Sequence, residues 1–191
     1  MNSGLVELEN LFFQKGKGFP KHVRLFLPTE NGYLYVNNGQ ARRSLRTYGV
    51  MGSLSHLERG PVLDKFAEFE FLLNEFLRFV IIGFETNSKL LDIIVRLPVN
   101  QKIRYLNDWK SIGNELATDL RRLFQIRDGF AHKFDEKDTQ YDNKPISQSF
   151  SKFVEDMQKT WGKIIFEYNK IIENYDYLVL IQEIKEFQKE K

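Results

Sequence analysis

SQSFSKFVEDMQKTWGKIIFEYNKIIEN, residues 147–174, carries its apolar residues at helical rather than strand spacing. Phe150, Phe153, Met157, Trp161, Ile164, Tyr168 and Ile171, with Tyr175 just beyond, recur every three or four positions and so share one face of a helix. At 1.5 Å per residue the stretch predicts a helix of roughly 42 Å. A single apolar stripe of that length must be buried against other elements. Residues 62–83 repeat the pattern with Phe66, Phe69, Leu73, Phe76 and Val80, and Pro61 just ahead suits the first turn of a helix. Shorter helical patterns cover Lys89–Arg96, which ends before Pro98, and Tyr177–Phe187, while Val99–Leu106 reads as a short turn ahead of Trp109. Residues 111–128 complete the set, with Ser111 as the expected N-cap. The expectation is a mainly α fold, an up-and-down bundle of four to five helices.

The chain has 191 residues, which suits one domain plus an extension. Hydrophobic content of 42% with 17 Phe and 8 Tyr excludes a disordered chain. Cys is absent, which removes disulfide scaffolds, thiolate metal sites and cysteine nucleophiles, and three scattered His offer little for a zinc or iron site. No Walker pattern or serine elbow is present. No cofactor is expected. Met1–Asn10 contains Glu7 and Glu9 and lacks the basic start of a signal peptide. The apolar run Phe79–Phe84 is far short of the roughly 20 residues that span a bilayer, so a soluble, cytoplasmic protein is the expectation, with no membrane partner.

Texture changes at Gly60-Pro61, which divides the sequence into an N-terminal extension, 1–60, and a helical domain, 61–191. Within the extension, Val23–Leu27 and Tyr33–Val36 are β-prone runs around Pro28–Gly32 and predict a hairpin with a five-residue loop. Residues 37–60 read as a basic linker or arm. Between Lys15 and Gly60 eight basic residues face only Glu30 and Glu58, although the whole chain carries just +2. Lys21, Arg24, Arg42, Arg43 and Arg46 are therefore the candidate phosphate contacts.

The helix over 111–128 has an anomaly in its apolar face. At 100° per residue from Ile112, the residues Leu116, Leu120, Leu123, Phe124 and Ile126 form one stripe, and Arg127 falls inside it at about 60°. A guanidinium there needs an anion or several acceptors to replace lost water. It can snorkel, pair with a core carboxylate, or border a cleft where it meets a phosphate. His132 follows five residues later. The run Asp135-Glu136-Lys137-Asp138 beside it offers carboxylates for a metal, but such a run after a helix is ordinarily a solvated loop.

Arg127, Asp128 and His132, at the end of a bundle helix, resemble the R-x4-H signature of HEPN domains, and residues 62–187 resemble that family's helical arrangement. The resemblance does not extend to residues 1–61. It implies metal-independent cleavage of RNA by a homodimer whose R-x4-H segments face each other, often as a toxin or phage-defence protein, sometimes beside a small nucleotidyltransferase antitoxin. A non-catalytic HEPN-like module that binds RNA or protein is the alternative it leaves. The chemistry is coherent: a histidine titrating near pH 6.5 can move the proton of a ribose 2′-hydroxyl, and a permanently charged Arg can stabilise the phosphorane. On an ideal helix His132 lies about 140° from Arg127 and about 7.5 Å along the axis, so two chains can converge where one cannot. Gly129 would admit a bend or a partner's backbone. Asp128, at i and i+4 to His132, is placed to orient the imidazole.

Overall fold

The computed structural model describes residues 3–12, 18–29, 32–44, 59–85, 88–132 and 139–190. Among them run helix α1 (Ser3–Phe12), strands β1 (Leu25–Thr29), β2 (Gly32–Asn37) and β3 (Gln40–Ser44), then helices α2 (Arg59–Ile82), α3 (Ser88–Arg96), α4 (Val99–Asp108) and α5 (Asn114–His132). A short hairpin of β4 (Gln140–Tyr141) and β5 (Lys144–Pro145) leads into α6 (Ile146–Glu173) and α7 (Leu178–Lys189). The fold is mainly α, a helical bundle with a small N-terminal antiparallel sheet. Among the described residues no helix is long and apolar enough to cross a membrane.

The two long stripes meet as their periodicity requires. Phe66, Phe69, Leu72, Leu73, Phe76 and Leu77 of α2 and Phe153, Met157, Trp161, Ile164 and Tyr168 of α6 are all buried. The Phe69 ring meets Trp161 edge-on at 4.8 Å, and Phe66 lies 5.3 Å from Phe124 of α5. Each such side chain contributes about 1.5–3 kcal/mol by leaving water. The α5 helix begins at Asn114 rather than Ser111, because the chain is still turning there: Ser111 N–H and Ile112 N–H both donate to the Leu106 carbonyl. Residues 99–108 form a full helix rather than a short turn, with Ile103 and Leu106 buried.

The N-terminal region holds more order than its composition suggests. β1 pairs with β2 from Leu25↔Val36 to Thr29↔Gly32, so the connection is two residues long, not five. β2 then pairs with β3 through Asn38-Gly39, both in the left-handed region at φ 49° and 78°. Two successive positive φ values make the type I′ turn whose twist matches a hairpin, and Asn-Gly is its preferred dipeptide. Residues 37–44, expected as linker, are thus the end of β2, a tight turn and a third strand. α1 likewise carries no counterpart in the expected elements.

The sheet is fastened to the bundle by burial and charge. The Phe26 ring packs on Phe71 of α2 and Tyr168 of α6, and Tyr168 Oη donates to the Phe26 carbonyl at 3.1 Å. Burial pushes the Tyr168 phenol above the ordinary tyrosine range. Beside it the buried Glu75 carboxylate accepts from Arg24 of the strand region and from Arg78 Nε at 3.0 Å, and Arg78 Nη1 reaches the Gly83 carbonyl at 2.7 Å.

Candidate functional site

The last turn of α5 is held in place from three sides. Phe130, on the same stripe as Ile112, is fully buried and stacks on Phe153 at 6.2 Å. Arg59, the first residue of α2, donates from Nη2 to the Ala131 carbonyl. A Cβ at Gly129 would lie 3.3 Å from both Cγ2 and Oγ1 of Thr139, which is buried. Gly129 therefore admits this chain's own Thr139 in the place where a bend or a partner backbone was expected.

Below Thr139, the β4–β5 hairpin turns through Asp142 and Asn143, at φ 57° and 62°. Tyr141 Oη donates to Asp156 Oδ2 at 2.6 Å, and the same oxygen accepts from Arg122 at 3.1 Å and Lys152 at 3.0 Å. Arg122 also lies over the Tyr141 ring at 5.2 Å. Burial, then the bond to Asp156, pushes the Tyr141 phenol above its usual range. Burial pushes Asp156 upward too, but its hydrogen bonds from Tyr141 and Lys152 outweigh it and hold the carboxyl below the ordinary aspartate range. This network ties the hairpin to α5 and α6 next to the R-x4-H segment.

Arg127 resolves its anomaly by pairing, not by deep burial. Its side chain keeps 36% exposure, with Nη2 3.7 Å from Glu70 Oε2 and Nη1 3.6 Å from Asp128 Oδ1. Both separations exceed the roughly 3.2 Å reach of an N–H···O hydrogen bond. Glu70, on α2, is itself held from the other side: its Oε1 accepts from Lys102 Nζ at 2.9 Å, and that wholly buried ammonium also reaches the Val95 carbonyl at 3.2 Å. Asp128 is 64% exposed and leans on Arg127. His132 is the last residue of α5, and the helix is continuous from Arg127 to it. The Arg59, Glu70 and Lys102 participants were not among the sequence candidates. Arg59 is one of the eight basic residues between Lys15 and Gly60, and nothing in the local sequence of Glu70 or Lys102 marks a pair between two helices.

The basic candidates divide. Arg24 is committed to Glu75 with only 11% of its side chain exposed, and lies 5.4 Å over the Tyr35 ring. Lys21 and Arg42 are exposed, Arg42 on β3 opposite Tyr35. Arg43 stands opposite Leu34 in the register. Arg46 and the acidic run Asp135–Asp138 lie outside the described residues. A groove of about 460 Å³ lined by Gly113, Leu116, Gly162, Lys163 and Phe166 sits at the opposite end of α5, and none of Arg127, Asp128 or Glu70 lines it.

Chemically, the α5 terminus offers a half-exposed guanidinium loosely held by two carboxylates, a second guanidinium at the Ala131 carbonyl, and a histidine position one residue further on. Such a group can exchange a carboxylate for a phosphate without leaving a buried charge unpaired. Searches with protein-family models, against curated proteins and against solved structures each returned no match.

Proposed function

We propose that this chain is a metal-independent endoribonuclease of HEPN type, acting as a homodimer in a toxin–antitoxin or phage-defence setting. The observation that carries the reading is Arg127: a cation at the end of an R-x4-H helix, 36% exposed, with its carboxylate neighbours at 3.6 and 3.7 Å rather than in hydrogen-bond contact. That guanidinium is free to turn toward an incoming phosphodiester. In the reaction His132 accepts the proton of a ribose 2′-hydroxyl as that oxygen attacks phosphorus. The bond to the 5′-oxygen breaks, the leaving oxygen takes the proton back from the His132 imidazolium, and Arg127 of the facing protomer offsets the negative charge of the phosphorane. The products are a 2′,3′-cyclic phosphate and a 5′-hydroxyl.

Arg127→Ala and His132→Ala should each lower cleavage by at least roughly 10²-fold, the scale of one positioned acid–base or charge-stabilising group. Cleavage should persist in EDTA and leave 2′,3′-cyclic ends. Wild-type protein that binds RNA and never cuts it supports the second reading, a non-catalytic RNA- or protein-binding module. That reading draws on the same residue, since Glu70 and Asp128 already balance the Arg127 charge.

A further inference from the structure

At the end of α4, Tyr105 and the capping residue Trp109 lie one turn apart with their rings stacked, 5.6 Å between centroids and 15° between planes. Tyr105 packs on the core edge and Trp109 is 49% exposed, so the outer indole face has water where a buried Trp would have neighbours. Its position is set by the backbone. Lys110 takes the left-handed conformation at φ 56°, its N–H donates to the Asn107 carbonyl and Ser111 N–H donates to Leu106, which is the Schellman pattern of a helix end. The Arg104 guanidinium lies 5.3 Å over the Tyr105 ring, and Lys110 is exposed beside Trp109. Asp108 is the acidic residue of this turn, about 100° round the helix from Trp109.

The stack stands beside the start of α5, since Ser111 and Ile112 just past Trp109 bond to Leu106 ahead of Asn114, and Arg127 lies about 20 Å further along that helix. From Lys102, whose ammonium shares Glu70 with Arg127, Tyr105 lies about 60° and Trp109 about 20° round α4, at about 4.5 and 10.5 Å along its axis. Lys102 and Leu106 on this face are buried, so the exposed indole and Arg127 are separate places on the surface, not two ends of one open face. Flat aromatic surface flanked by cations is the chemistry that receives unpaired bases, irrespective of their identity.

Resting on the ribonuclease reading, we propose that Trp109, backed by Tyr105 and flanked by Arg104 and Lys110, is a base-stacking subsite for single-stranded RNA, apart from the bond cleaved at Arg127. The partner is unpaired RNA, taken without sequence preference at this position.

The test uses the full chain and a 2′-O-methyl oligouridylate of about twelve nucleotides, which lacks the hydroxyl that the reaction needs and therefore reports binding alone. Trp109 is the exposed tryptophan and Trp161 is only 5% exposed, so quenching on titration reads Trp109. Expected are quenching of indole emission, a Kd at least about 5-fold weaker for Trp109→Ala, and recovery to near wild-type affinity for Trp109→Phe, each with an unchanged circular dichroism spectrum. Oligonucleotide binding without quenching, together with an unchanged Kd for Trp109→Ala, overturns the subsite, and continued cleavage of ordinary RNA by wild type then leaves the ribonuclease reading standing. Loss of a dimer in Trp109→Ala overturns it as well, by assigning the indole to a second copy. Quenching with no cleavage of ordinary RNA supports the subsite and removes the nuclease activity instead. Neither binding nor cleavage overturns both.

Discussion

Lys102 is wholly buried and its ammonium lies 2.9 Å from Glu70, whose own side chain reaches the surface to meet Arg127. The pair therefore carries charge from the interior of α4 to the rim of the candidate site. Removing the carboxylate strands a buried cation, so Glu70→Ala should destabilise the fold by about 2 kcal/mol, below the 3–5 kcal/mol of fully enclosed pairs because Glu70 is partly hydrated. Glu70→Ala/Lys102→Met should recover most of that loss, since an apolar chain of similar length needs no counter-ion. Urea denaturation of the three variants checks this, and a double variant no more stable than Glu70→Ala would contradict it.

A contrast among the basic residues follows from their placement. Arg24 reaches inward to Glu75, whereas Lys21 and Arg42 are exposed. Replacing Lys21 and Arg42 with Gln should reduce the slope of log K for RNA against log salt by up to about 2, with little effect on the denaturation midpoint. Arg24→Gln should do the reverse, lowering the midpoint and leaving the slope nearly unchanged. Equal slopes in all variants would remove the sheet from the RNA-binding surface.

Acid should loosen the seam beneath the R-x4-H segment. The Asp156 carboxyl titrates lower in the folded chain than when unfolded, the hydrogen bonds of Tyr141 and Lys152 outweighing burial. Its contribution is thus fully present above the unfolded value of about 3.9 and fades as pH falls through the lower folded value. Asp156→Asn should lower the urea midpoint at pH 6 and flatten its fall between about pH 4 and pH 2 relative to wild type. Parallel acid limbs for the two proteins would show that other carboxylates govern it.

How far these features could be read in advance depended on the range of the interaction. The α2, α5 and α6 stripes are local, and Phe66, Leu120 or Met157 announces its burial through neighbours three and four residues away. Asn38-Gly39 was equally legible as a hairpin turn, but the surrounding Arg and Ser favoured a linker reading, and the strand pairing that decides the matter is with Tyr33–Asn37 across the turn. Arg127 revealed from its angular position that it needed a partner. The identity of that partner did not follow, because Glu70 sits three helices earlier and looks like any solvated helix carboxylate until α2 and α5 are packed. Val99–Asp108 has a weak apolar pattern since Lys102, a buried cation, occupies a core-facing position.

The sharpest test of the composite site uses two inactive proteins. Along a continuous α5, Arg127 and His132 stand about 140° apart and about 7.5 Å along the axis, and the proposed mechanism therefore has a phosphate held by one chain's Arg127 met by the other chain's His132. In a dimer of Arg127→Ala with His132→Ala, one protomer supplies the histidine and the other the arginine, which rebuilds one working pair. Mixing the two variants, after mild denaturation and refolding to exchange protomers, gives heterodimers as half of all dimers, and activity should return to about a quarter of wild type. Light scattering of the wild type at micromolar concentration should give twice the monomer mass. Recovery no greater than the sum of the separate variants, from a mixture shown to contain heterodimers, would place both groups in one chain or remove the catalytic role of the pair.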